Sequence, residues 1–70
     1  MANLEDYRLE CGWSKNEMAR ESKLDFNTLN RAMTGGLVSI GTASKIATAI
    51  SKKLGRSIPW QQIEGLNVKT

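Results

Sequence analysis

The sequence predicts an all-α fold, a compact domain of five helices, and three observations support that prediction. Apolar residues recur at the 3.6-residue spacing of an amphipathic helix, most clearly in a stripe made by Ala43, Ile46, Ala47, Ile50 and Leu54. Two helix-start signals follow one another closely, in "WSKNEM" and "LDFNTL". No segment alternates apolar and polar residues in the way that a half-buried strand does, so no strand is predicted.

Length and composition indicate a single folded domain. The chain has 70 residues, of which 40% are hydrophobic, and this fits one domain over residues 1–70 with a core at about 4–64 and a frayed tail at 65–70. No apolar stretch approaches the ~20 residues that cross a bilayer, so we expect no membrane contact. The acidic start "MANLEDYRLE" lacks the apolar segment of a secretion signal. We therefore expect a cytoplasmic protein.

Charge is distributed unevenly along the chain. The net charge is +3, and the second half holds one acidic residue, Glu64, against five basic ones: Lys45, Lys52, Lys53, Arg56 and Lys69. A basic half indicates an anionic partner, most often nucleic acid, or else a solubilising surface. Composition alone does not separate these two.

The residue types present argue against catalysis and metal binding. Cys11 is the single cysteine and the chain has no histidine, so we expect no internal disulfide and no metal site. No nucleophile stands beside a base, and no Gly-rich loop precedes a lysine. We therefore expect no enzyme and no cofactor.

The first two helices have local start or stop signals. Helix one is predicted from about Leu4 to Cys11, ended by Gly12. In helix two Ser14 is the N-cap and Glu17 completes a capping box. The pair Trp13 and Met18 brackets the cap as a hydrophobic staple.

Helix three begins so soon after helix two that the spacing is that of a helix-turn-helix. Asp25 is the predicted N-cap, with Leu24 and Leu29 as the staple pair. Helix two must then stop near Ser22, which leaves a turn of about three residues. Ala19 is the small residue expected where the two helices cross.

Two more helices complete the predicted set. Helix three ends at the pair Gly35–Gly36. Helix four has Ser39 as its cap and Gly55 at its end. A short fifth helix is predicted from Pro59 to about Gly65.

The segment "SKNEMARESKLDFNTLNRAMTGG" resembles the helix-turn-helix of lambda repressor-like (Xre/Cro-type) DNA-binding domains. Ser14, the pair Met18–Ala19, Leu24, Leu29 and Gly35 stand at positions that fit the family's pattern. The similarity extends to "LEDYRLECGW" for the first helix and "SIGTASKIATAI" for the fourth, and so covers roughly residues 4–50.

The chain departs from the family pattern at three places. Lys23 stands where the family has the turn glycine, so a non-glycine residue must adopt whatever conformation the turn imposes, at a cost of about 1 kcal/mol. Met33 replaces a glutamate that pairs in some members with the arginine here at Arg8, so the partner of Arg8 is left open. The connection "SKKLGRSIPW" is longer than in many relatives, so no C-terminal packing or dimer surface is carried over.

The resemblance implies a sequence-specific regulator of transcription that binds double-stranded DNA, of the phage or mobile-element repressor type. Its recognition helix, at about 26–34, would enter the major groove. The base-contact candidates are Phe26, Asn27, Thr28, Asn30 and Arg31. Arginine pairs with guanine, asparagine with adenine, and threonine or phenylalanine meets the thymine methyl. Capping by Asn27 and Thr28, and packing of Phe26 on the first turn, are the structural alternatives.

Phosphate contacts are expected on both sides of that helix. The candidates are Lys15, Thr34, Gly36, Ser39 and Lys45, together with the free amides that open helix four. An ordinary solvated surface is the alternative for the lysines and for Thr34. We interpret Lys52, Lys53 and Arg56 as solvated.

The rival hypothesis is a protein-interaction module with the same fold. The polar composition of helix three argues against it, because protein-binding faces favour aromatic and aliphatic anchors. Binding as a homodimer, as a monomer or beside partners is compatible with the sequence.

Overall fold

Four α-helices, one 3-10 turn and two short strands make up the computed structural model, which describes residues 3–69. The elements are α1 (Leu4–Cys11), α2 (Lys15–Glu21), α3 (Phe26–Met33), β1 (Leu37–Ser39), α4 (Ile40–Leu54), the 3-10 turn (Trp60–Gln62) and β2 (Asn67–Lys69). The four main helices lie where the sequence predicts them. No helix in the described part is long and apolar enough to span a membrane.

The core is built around α4. Four residues of its predicted stripe are buried, Ala43, Ile46, Ala47 and Ile50, and the fifth, Leu54, is partly buried against the core. Helix α4 contacts α1, both strands and the 3-10 turn, whereas α2 packs mainly against α3. Met18 and Leu29 are fully buried, so burial of apolar side chains fixes the helix pair on the rest of the domain.

The helix caps agree with the sequence at two starts and differ at a third. The Oγ of Ser14 accepts from the amide of Glu17 at 3.1 Å and the Glu17 carboxylate accepts from the amide of Ser14 at 3.0 Å, as predicted for a capping box. Ser39 caps α4 by accepting from the amide of Thr42 at 3.2 Å. Asp25 occupies the N-cap of α3, but its side chain accepts no backbone amide.

The turn between α2 and α3 places a lysine in a strained conformation. Lys23 has φ 58°, in the left-handed region, as its place at the family's turn glycine implies. The amide of Leu24 donates to the carbonyl of Ala19 at 2.9 Å, and Ala19 is buried. A small side chain therefore lies where the turn closes back on α2.

The C-terminal part of the prediction was wrong. The expected frayed tail forms β2, which pairs in parallel with β1 in the register Leu37↔Asn67, Val38↔Val68 and Ser39↔Lys69; Thr70 lies outside the described residues. Each strand has three residues, too few for an alternating pattern to be recognised. Pairing of distant segments and burial of Val38 stabilise this sheet.

The predicted fifth α-helix is a single 3-10 turn. It covers Trp60–Gln62, and Ile63 after it is already extended with φ −83° and ψ 114°. A helix confined between Pro59 and Gly65 has too few residues to repay the cost of helix nucleation. Ile63 is nevertheless buried as expected, and Trp60 packs partly against the core.

Candidate nucleic-acid interface

Helix α3 is anchored by one face and presents the other to solvent. Leu29 and Ala32 are buried, with 0% and 1% exposure. Asn27 and Arg31 are exposed, and Phe26 is 42% exposed. Phe26 is thus not a core residue, although more than half of its surface is covered. A helix that is held by one face and exposes the other can lie in a nucleic-acid groove without any change in the fold.

The five predicted base-contact residues differ in how free they are. The side chains of Asn27 and Arg31 make no hydrogen bond to residues 3–69. Thr28 is half-buried and its hydroxyl donates to the carboxylate of Asp25, a local contact that caps no backbone amide of α3. Asn30 is half-buried.

The α3–α4 connection, residues 34–39, is held by its own hydrogen bonds. The hydroxyl of Thr34 donates to the carbonyl of Asn30 at 2.9 Å. The amide of Gly36 donates to the carbonyl of Arg31 at 2.7 Å. In this conformation the Gly36 amide is therefore not available to a phosphate. The hydroxyl hydrogen of Thr34 is also in use, so its oxygen is free only as an acceptor.

Ser39 is the last residue of the same connection and the N-cap of α4. The Ser39 hydroxyl donates to the Oγ1 of Thr42 at 3.1 Å and caps the Thr42 amide. The first amides of a helix have no partner within that helix. An anion at this end of α4 would therefore meet backbone donors and a favourable helix dipole.

Sequence analysis missed the residue that ties this connection to the C-terminus. The Nδ2 of Asn67 donates to the carbonyl of Gly35 at 2.6 Å. Gly35 has φ 87°, where a glycine is needed. The two residues are 32 positions apart, and no local signal in the sequence indicates their contact.

The two predicted lysine contacts lie on different parts of the surface. Lys15 is the exposed first residue of α2, near enough to Glu5 to help lower the pKa of that carboxyl. Lys45 is exposed on α4 and lines a groove with Lys23 and Glu21. Lys45 is therefore directed towards the C-terminal end of α2, away from Lys15.

Arg8 has a partner that the sequence left open. Its guanidinium pairs with the carboxylate of Glu5 one turn earlier in α1, and its Nη1 donates to the carbonyl of Trp13 at 2.8 Å. The hydrogen bond to Arg8 is the main cause that lowers the pKa of Glu5 and raises that of Arg8. Arg8 thus joins α1 to the segment that starts α2, where Lys15 lies.

Comparison with protein families gives one assignment. Residues 4–61 match the family described as helix-turn-helix. Comparison with curated proteins returned no match, and neither did comparison with solved structures. The matched range includes α1 to α4 and ends within the 3-10 turn, before β2.

Proposed function

Because this chain belongs to the lambda repressor-like (Xre-type) helix-turn-helix family of DNA-binding regulators, we propose that it recognises a specific double-stranded DNA sequence with α3. In this proposal α3 lies in the major groove and its exposed side chains meet base edges. Occupation of the site then blocks other proteins, so that the chain acts as a repressor of the phage or mobile-element type.

The observation that supports sequence recognition most directly is that the side chains of Asn27 and Arg31 are exposed and make no hydrogen bond to residues 3–69. Both are exposed on a helix whose opposite face is fully buried. Asparagine and arginine are the side chains that form bidentate hydrogen bonds with adenine and guanine. We propose these two as the main base contacts, with Phe26 against a thymine methyl and with Thr28 and Asn30 as flanking contacts.

Phosphates are proposed to lie at the two ends of this contact. At one end Lys15 supplies a charge beside the start of α2. At the other end the amides that open α4 receive a phosphate, and the hydroxyls of Thr34 and Ser39 join it by rotating away from Asn30 and Thr42. Lys45 lies farther along α4. Gly36 acts there through its lack of a side chain, because its amide is already used.

The test is selection of bound sites from random duplexes, followed by binding curves on the selected and a scrambled duplex at several salt concentrations. We expect one preferred sequence, an affinity well above that for the scrambled duplex, and a steep loss of affinity with salt. A palindromic site would support binding as a homodimer. No binding to any duplex at low salt would overturn the proposal in favour of a protein-interaction module.

A further inference from the structure

A basic groove runs between α2 and α4, away from the surface of α3. Two adjoining depressions share Lys23, Glu21, Ala49 and Lys52 in their walls and so form one continuous groove. Its basic residues are Arg20, Lys23, Lys45, Lys52 and Lys53. No side chain of α3 lines it.

The charges of this groove are not neutralised within the domain. In the described part of the chain the ion pairs are Arg8–Glu5 and Arg56–Glu10, and none involves a groove cation. Glu21 is the one carboxylate in the lining, while Glu17 lies near enough to Arg20 and Lys53 for them to help lower its pKa. The lining holds five cations and one carboxylate, and this excess of positive charge is larger than the net charge of +3 of the whole chain. The groove therefore attracts anions.

Lys23 stands at the centre of the groove in a conformation that disfavours it. It lines both depressions and has φ 58°. A glycine at this position would avoid the left-handed strain. Strain that a folded domain retains is often associated with a functional site, and here it places an ammonium group where both halves of the groove meet.

The direction of α4 separates the groove from the expected DNA contact. A phosphate bound by the first amides of α4 would lie beyond Ile40, on the helix axis. The groove follows α4 from Ser44 to Lys53, and at 1.5 Å per residue its far end lies roughly 20 Å from Ile40. Lys52 and Lys53 are therefore too far along α4 to contact the phosphate that its first amides would hold.

We propose that this groove binds an acidic segment of a partner protein. Its length from Ser44 to Lys53, about 14 Å, matches four or five residues of extended chain at roughly 3.3 Å each. Half-buried Ala49, with the small exposed part of Trp13, provides apolar surface in the lining for one aliphatic side chain among the acidic ones. A sequence-specific DNA contact at the start of α4, even one that uses Lys45, would leave the part of the groove around Lys23, Lys52 and Lys53 open, so the protein could hold DNA and partner together.

The probe is the capped peptide Glu-Glu-Leu-Glu-Glu, titrated into the full chain without DNA and followed by amide chemical shifts. We expect shifts along residues 20–23 and 44–53 and none in α3. Lys23→Gly should weaken peptide binding about twofold to fivefold. The same variant should raise the melting temperature by about 2–8 °C, because the left-handed strain is relieved.

Two further variants and a DNA assay complete the test. Lys52→Gln should weaken the peptide as Lys23→Gly does, whereas Lys15→Gln, with the same loss of charge outside the groove, should not. Equal weakening by Lys15→Gln, or shifts spread over the whole surface, would show non-specific charge attraction and overturn the proposal. Loss of DNA affinity in Lys52→Gln as large as in Lys15→Gln would assign the groove to nucleic acid instead. Because the peptide titration contains no DNA, it succeeds or fails independently of the proposed function.

Discussion

The side chain of Arg31 lies directly over Gly36. A β-carbon at position 36 would be 2.4 Å from the Cγ of Arg31 and 2.9 Å from its carbonyl oxygen. The amide of Gly36 also donates to that carbonyl at 2.7 Å. The side chain proposed to contact guanine therefore packs against Gly36, three residues beyond the end of α3.

Gly36→Ala is expected to weaken binding to the selected duplex by displacing Arg31. The added methyl group forces the Arg31 side chain into another rotamer, and a bidentate contact depends on that geometry. The loss should be about tenfold on the selected duplex and smaller on the scrambled one, measured by binding curves.

The same substitution in an Arg31→Ala background separates this effect from general damage to the fold. If Gly36→Ala acts through Arg31, it should cost little further affinity once Arg31 is truncated. An equal loss in both backgrounds would mean that the backbone contact at 2.9 Å, and not the side chain, is what matters.

Arg31→Ala and Lys15→Ala should affect DNA binding in different ways, the first through specificity and the second through general affinity. Arg31→Ala is expected to cost roughly 1–3 kcal/mol on the selected duplex and to relax the preference at one base pair. Lys15→Ala should weaken all sequences about equally and reduce the salt slope by about one. Both side chains are exposed, so thermal unfolding should be nearly unchanged. Equal weakening of both duplexes by Arg31→Ala would make Arg31 a phosphate contact only.

Ser14→Ala should destabilise the domain more than Asp25→Ala. Ser14 accepts an amide in a complete capping box, and losing such a cap costs about 1 kcal/mol. Asp25 caps no amide; its carboxylate receives the hydroxyl of Thr28, an exposed contact with a smaller contribution. Urea titration measures both. A larger effect at Asp25 would show that the carboxylate caps α3 in solution.

Asn67→Ala is expected to loosen the α3–α4 connection. It removes the hydrogen bond to the carbonyl of Gly35, a loss of roughly 0.5–1.5 kcal/mol in unfolding free energy. DNA affinity should fall as well, since Gly35 adjoins the proposed phosphate contacts. Gln62→Ala is the control, because Gln62 is exposed and makes no side-chain hydrogen bond in the described range. An Asn67→Ala variant as stable as the control would mean that β2 does not hold this connection.

The sequence by itself determined the four main helices and their order. The caps at Ser14 and Ser39 and the stop at Gly55 are short-range signals, because a helix end is satisfied by residues within one turn of it. The stripe on α4 likewise indicated which face is buried. Those local signals were enough to predict the helix-turn-helix, and the family resemblance added the hypothesis that α3 contacts DNA.

Only the tertiary structure decided what joins distant parts of the chain. Asn67 reaches Gly35 and β2 pairs with β1 because burial of Val38 brings those segments together. The lysines at 23 and 52 are far apart in the sequence, and they line one groove because the end of α2 and the turn after it face α4. Contacts of this kind depend on chain folding over long separations, which a local pattern does not encode.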